Sequence, residues 1–405
     1  MDSTLFRDLE TTLSADGPAA AVNRLCDRLR ADKDYHSLFY ALLLKKRHEM
    51  GVNPVPTGPS ADLPPQHHAE YEDAIRAAGR EVGNLFLKDG NIAHAWAYFR
   101  MIGEPDPVKA ALERYQPKQD EDIQALVQIA FYEKVHMARG FDWILSRYGL
   151  CSSITTLGSQ ELPSDPAVRQ HCIGGLVRAL YAELRDRLLG EIERHDGSLP
   201  PHPHPHTPEG RGVGGEGRPA DEPGTVRKLM AGRDWLFADD CYHVDTSHLS
   251  SVVQMSLHLT PGPEMDLARE LCEYGARLSH KFLSGGDPPF EDLYKAHGIY
   301  LAILDGEDVE GNLNYFREQA ASADPATVGT FPAEVLVNLL LRLGREKEAL
   351  EVARKYLAGV DGRRLTCPSV PDLCQRVGDW RTLAEAAREQ GDPVHFMAGL
   401  LAAGK

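Results

Sequence analysis

The stretch "LLLRLGREKEALEVA" (339–353) decides how the chain folds. A run of leucines ends at Gly344, a polar residue follows, and apolar positions then recur at helical spacing. Glycine ends a helix easily because it adopts left-handed backbone angles that cost other residues more. The helix after such a turn packs back antiparallel, and a small residue such as Ala349 lets the two axes approach.

The same plan recurs in "LFLKDGNIAHAWAYF" (85–99), "LAILDGEDVEGNLNYF" (301–316) and "LCQRVGDWRTLAEAA" (373–387). Gly90, Gly306, Gly344 and Gly378 mark the turns, and the last three are 38 and 34 residues apart. Ala95 and Ala384 take the place of Ala349. Alternating β-branched runs between hairpin turns are almost absent, so an all-α fold is expected. Over residues 85–107 and 300–390 this plan resembles the tetratricopeptide repeat, whose period is near 34 residues. The resemblance implies an α-solenoid of stacked antiparallel hairpins that binds a peptide or protein in its concave face.

Two stretches interrupt the helical pattern. "GVNPVPTGPSADLPPQHH" (51–68) reads as a loop. "HDGSLPPHPHPHTPEGRGVGGEGRPADEPG" (195–224) cannot bury an apolar face and reads as a flexible, disordered insertion. Its "HPHPHT" run can bind metals adventitiously. These breaks suggest N-terminal hairpins over 1–118, a central helical region over 119–263 and C-terminal repeats over 264–405.

The bulk numbers narrow the functional classes. Basic residues number 44 against 60 acidic, a net charge of −16. That balance argues against nucleic acid and against an anionic membrane surface as partners. No run of apolar residues is long enough to span a bilayer, and no secretory leader is evident. The seven cysteines are scattered and lack a C-x-x-C pair, as expected of buried thiols in a reducing cytoplasm.

Candidate chemistry lies in the central region. Glu133 and His136 stand in "EKVH" (133–136), inside a segment (120–149) read as one or two helices, where their spacing places both on one face. His171 precedes the pair Gly174 and Gly175 near the start of a helix with Ser164 as N-cap and Pro166 in its first turn. Paired glycines inside a helix are tolerated where another backbone or a ligand comes close. Glu183 lies further along that helix and faces a similar direction, as a group that would hydrogen-bond to a ligand side chain.

"CYHVDTSHLSSVVQMSLHL" (241–259) holds His243, Asp245 and His248 within six residues. Two imidazoles and a carboxylate suit a divalent transition metal such as Zn, Fe or Mn, with Tyr242 nearby as a group that would hydrogen-bond to a ligand side chain. The other reading makes Asp245, Thr246 or Ser247 the cap of a helix running from about Leu249 to Leu259, with Val244 and Val252 in the core. Two functions stay open: a helical-repeat scaffold that binds a peptide or protein, or a metalloprotein, perhaps an enzyme, using Glu133, His136, His171, His243, Asp245 and His248. P-loop, G-x-S-x-G and H-E-x-x-H signatures are absent.

Overall fold

The computed structural model of the chain describes residues 3–55, 63–197, 224–282, 286–324 and 327–404. Most of the Pro/Gly/His-rich stretch, including "HPHPHT", and the middle of the 51–68 loop lie outside them. The described residues are mainly helical, without strands, and fall into two compact units, Met1–Arg147 and Tyr148–Lys405.

The first unit holds α1 (Ser3–Asp16), α2 (Pro18–Ala31), α3 (Tyr35–Glu49), α4 (His68–Lys88), α5 (Ile92–Ile102), α6 (Asp106–Arg114) and a short α7 (Gln124–Val127). Each of the first five packs on the next, and Leu38, Tyr71, Val82 and Tyr98 share one core. A single turn of π-helix follows α7 over Gln128–Tyr132. α8 (Met137–Gly158) follows and is broken at Gly149.

The second unit contains α9 (Pro166–His195), α10 (Val226–Met230), α11 (Thr246–Ser256), α12 (Pro263–Gly275), α13 (Leu293–Leu304) and α14 (Val309–Ser322). It continues through α15 (Phe331–Arg342), α16 (Glu346–Tyr356), α17 (Val370–Val377), α18 (Trp380–Gln390) and α19 (Pro393–Ala403). From α11 onward each helix packs on the next wherever the connection is short. Phe316, Leu336, Leu340, Leu350, Leu373 and Leu383 belong to one continuous core.

The glycine turns take the expected form. Gly90, Gly306, Gly344 and Gly378 have φ of 77°, 87°, 71° and 72°. At each, the next residue's N–H donates to a carbonyl five residues back. The bonds run from Asn91 to Phe86 (2.8 Å), Glu307 to Ala302, Arg345 to Leu340 and Asp379 to Cys374 (2.9 Å each). This closure satisfies a helix-end carbonyl and reverses the chain. Two successors of glycine also start the next helix: Asn91 accepts from the His94 N–H and Asp379 from the Thr382 N–H. Ala95, Ala349 and Ala384 are buried where the paired helices meet.

Three local expectations are corrected. The 120–149 segment is not one continuous helix through "EKVH", because Lys134 has a φ of 60° and the chain folds back between the π-turn and α8. Glu133 and His136 therefore flank a turn instead of sharing a helix face. The N-cap of α9 is Asp165 and not Ser164, since its carboxylate accepts from the Ala167 and Val168 N–H groups. Asp165 directly precedes the first helical residue and carries the charge that suits a helix N-terminus. α11 begins at Thr246, three residues earlier than expected, because Asp245 caps it.

Gly275 sets how closely α12 meets α13. A β-carbon there would stand 2.3 Å from the Tyr294 ring, whose side chain is fully buried. An exposed Gly→Ala change in a helix gains up to about 1 kcal/mol. Gly275→Ala is expected to lose stability instead, by about 1–3 kcal/mol, through overpacking. Urea denaturation of the variant against the parent chain measures the sign directly.

Candidate functional site

The histidine-rich stretch resolves into a fastener. A 3-10 turn (Asp234–Asp240) brings the chain to His243, whose backbone N–H donates to the Tyr274 hydroxyl on α12 at 2.7 Å. The His243 Nδ1 lies 3.2 Å from the same oxygen. The hydroxyl accepts the backbone N–H, so its own proton is free to go to Nδ1, which selects the Nε2–H tautomer. Phe237 packs edge-on against the His243 ring and at a tilt against the Tyr274 ring. Burial holds the His243 imidazole below its ordinary pKa and pushes the Tyr274 phenol up. Both effects favour the neutral pair.

Asp245 is the cap of α11. Its Oδ1 accepts the Ser247 N–H at 2.8 Å, the His248 N–H at 3.2 Å and the Ser247 hydroxyl at 2.5 Å. The Ser247 hydroxyl is the largest cause holding this carboxyl below the usual range, with the backbone donors adding to it. His248 sits half-buried in the first turn of α11. Val244, Leu249 and Val252 are buried, whereas Tyr242 is exposed and touches Phe282 edge-on.

The other candidates are engaged locally. The Glu133 carboxylate accepts the Trp96 indole N–H at 2.7 Å and the Arg100 guanidinium at 3.0 Å, tying α5 to the π-turn. His136 precedes α8, and its Nδ1 accepts the Arg139 N–H at 3.4 Å. Burial lowers its pKa, with the Lys109 charge adding to the effect. His171 is half-buried near the start of α9, and Glu183 pairs with Arg187 one turn on. Close approach at the glycine pair is real for Gly174, where a β-carbon would come within 2.9 Å of the Glu264 side chain from α12.

Among the described residues, no group of three or more His, Cys, Asp or Glu side chains is placed to hold a metal ion. Cys151 and Cys241 are exposed and the other five cysteines are buried. No helix of the described residues is long and apolar enough to cross a membrane.

The structure also shows polar features that the histidine pattern concealed. Glu270 of α12 is buried and accepts the Tyr181 hydroxyl at 2.7 Å and the Arg227 N–H at 3.0 Å, while Tyr181 accepts the Val226 N–H at 2.9 Å. Burial raises the Tyr181 phenol to about 12. Glu334 of α15 is buried too and accepts from the Thr330 hydroxyl (2.6 Å) and from the Thr366 N–H and hydroxyl (2.7 Å each). Both carboxylates hold a loop or a short helix to the helical frame. His297 of α13 is buried against Phe290, with Nδ1–H donating to the Leu293 carbonyl at 2.7 Å.

Two orphan donors in the first unit have a ring as neighbour. The buried Arg139 Nε and Trp143 Nε1 lack a hydrogen-bond partner. The Arg139 guanidinium lies over the Trp143 ring at 5.4 Å, and Trp143 meets Tyr115 edge-on. Aromatic faces accept such donors weakly.

An open groove of about 390 Å³ lies over α12, α13 and the start of α14. Its floor includes the small residues Cys272, Ala276, Gly298 and Ala302, with Tyr294 and Ile299 beside them. Arg269 on its rim pairs with Asp305 and Glu307, and Glu273 pairs with Arg227. The Lys295 ammonium, also on the rim, has no ion-pair partner among the described residues.

No family model, no curated protein and no solved structure matches this chain.

Two outcomes are expected. Asp245→Ala removes a cap and costs about 1 kcal/mol in thermal or chemical denaturation, with Asp245→Asn close to the parent and a metal chelator changing neither difference. Burial lowers the His297 pKa to about 4 from an ordinary 6.5, so the fold favours the neutral ring. The stability this gives is complete above pH 6.5 and is lost as pH falls toward 4, by up to about 3 kcal/mol. His297→Asn keeps a donor for Leu293 and is expected to flatten the pH dependence over that window.

Proposed function

We propose that the second unit is a tetratricopeptide-like array of helical hairpins and that the chain is a scaffold binding a peptide or protein segment in the groove over α12, α13 and α14. The observation that carries this reading is the chemistry of the groove. A floor of small side chains suits close approach by an extended backbone. The rim cations and anions are mostly neutralised by one another, which leaves Lys295 available to an acidic side chain or a terminal carboxylate of the ligand. The recurring glycine turns support the array, since they reverse the chain in the same way at Gly306, Gly344 and Gly378.

Selection of a displayed peptide library on the full chain tests this. Ala276 is exposed on the groove floor, so Ala276→Trp fills the space without entering the core. Enriched peptides are expected to lose at least tenfold in affinity, about 1.4 kcal/mol, on Ala276→Trp. Those with an acidic group are expected to weaken on Lys295→Glu as well. Failure to enrich any peptide, or equal binding to the parent and filled chains, overturns the reading.

A further inference from the structure

α16 and α17 are joined by a connection over residues 357–369, whose one regular element is a 3-10 turn at Gly362–Arg364. Thr366 follows that turn and is exposed. Its N–H and its hydroxyl both donate to Oε2 of Glu334 on α15, at 2.7 Å each. Glu334 is 4% exposed, and its hydrogen bonds come from neutral donors, the Thr330 hydroxyl and Thr366. The connection is thus held to the helical frame by one buried carboxylate through an accessible hydroxyl.

Arg363 and Arg364 stand three and two residues before Thr366. Both are exposed, the Arg363 side chain by 93%. The Arg363 guanidinium reaches only Asp361, at 4.0 Å, and Arg364 has no ion-pair partner among the described residues. Of all the serines and threonines in the chain, Thr366 alone has an arginine three residues before it. Thr330, which shares Glu334, has no Lys or Arg over residues 318–329.

We propose that Thr366 is a phosphorylation site for a protein kinase with an acidic substrate groove, and that the phosphate transfers the connection from Glu334 to Arg363 and Arg364. Leu365 is extended, with φ −86° and ψ 143°, so the segment enters such a groove with little rearrangement. The two guanidiniums pair with its carboxylates and place the Thr366 hydroxyl at the reacting phosphate. Oγ of Thr366 attacks the γ-phosphorus of Mg-ATP. The new Oγ–P bond forms as the bond to the β–γ bridging oxygen breaks. ADP leaves, and the hydroxyl proton goes to the catalytic base of the kinase.

The consequence follows from the contacts at Glu334. A phosphate on Thr366 removes the proton that Glu334 accepts and brings about two negative charges beside a buried carboxylate. Like charges at that distance repel strongly where water is excluded. The nearby guanidiniums offer the same phosphate bidentate hydrogen bonds in the opposite direction. The connection therefore has two anchors, and the charge on Thr366 chooses between them.

The folded full chain is incubated with Mg-ATP and the catalytic subunit of a cyclic-AMP-dependent protein kinase, and the digested product is read by mass spectrometry. About one phosphate per chain is expected on Thr366, none on Thr330, and about a tenfold slower transfer in Arg363→Ala/Arg364→Ala. An unmodified Thr366, or an unchanged rate in the double-arginine variant, overturns the assignment. Hydrogen exchange reads the release without relying on those variants. Amides of the 357–369 connection are expected to exchange about tenfold faster in the phosphorylated chain, and the ratio to shrink in Glu334→Gln, where the like charge is gone. Equal exchange with and without phosphate, or an undiminished ratio in Glu334→Gln, overturns the switch.

Discussion

One hydrogen bond recurs throughout this chain and organises it. At the end of a helix a glycine turns left-handed, and the following N–H reaches back to a carbonyl five residues earlier. This bond caps the helix and also aims the chain back along it. Packing then follows from side-chain size. Ala95, Ala349 and Ala384 stand where the returning helix first meets its partner, and larger residues beyond them fill the core. A bulkier residue at those alanines would splay the hairpin, and a different residue at the glycine would pay the left-handed strain of about 1 kcal/mol.

Buried polar groups in the structure act as fasteners. Glu270, Glu334 and the His243–Tyr274 pair each bind a segment that has little helix of its own to hold it. A carboxylate that accepts several donors can be buried at acceptable cost, and it specifies where the loop sits more sharply than apolar contact does. The bonding of Asp245 and Glu133 follows the same rule. Their acceptor capacity is used by backbone, hydroxyl, indole and guanidinium donors close at hand.

That explains what the sequence disclosed and what it hid. The glycine turns were legible because they depend on residues adjacent in the chain: a helix end, a glycine and a polar successor. The same locality made Asp245 readable as a cap. The break at Lys134 was not legible, since "EKVH" fits a helix and only the bonding of the π-turn shows otherwise. The roles of Glu270 and Glu334 are not legible, because their partners, Tyr181, Arg227 and Thr366, are distant in sequence. One cue is present for Glu334, a lone acid within the apolar helical run "FPAEVLVNLL" (331–340), whereas "LARELCEYG" (267–275) holds two acids and an arginine and offers none. The floor of the groove has no such cue, because Cys272, Ala276, Gly298 and Ala302 look like ordinary packing residues until α12 and α13 are set side by side.

The local closure of each hairpin also shapes the kinetics of the chain. A turn closed within six residues loses little loop entropy, so hairpins built this way can assemble before distant contacts exist. The same independence lets them come apart piecemeal. Among the described residues α19 packs mainly on α18 and is expected to open below the global unfolding free energy, while α13 to α17, enclosed on both sides, exchange their amide protons last. The molecule is thus a series of cooperative units of graded stability, set by how many neighbours each hairpin has.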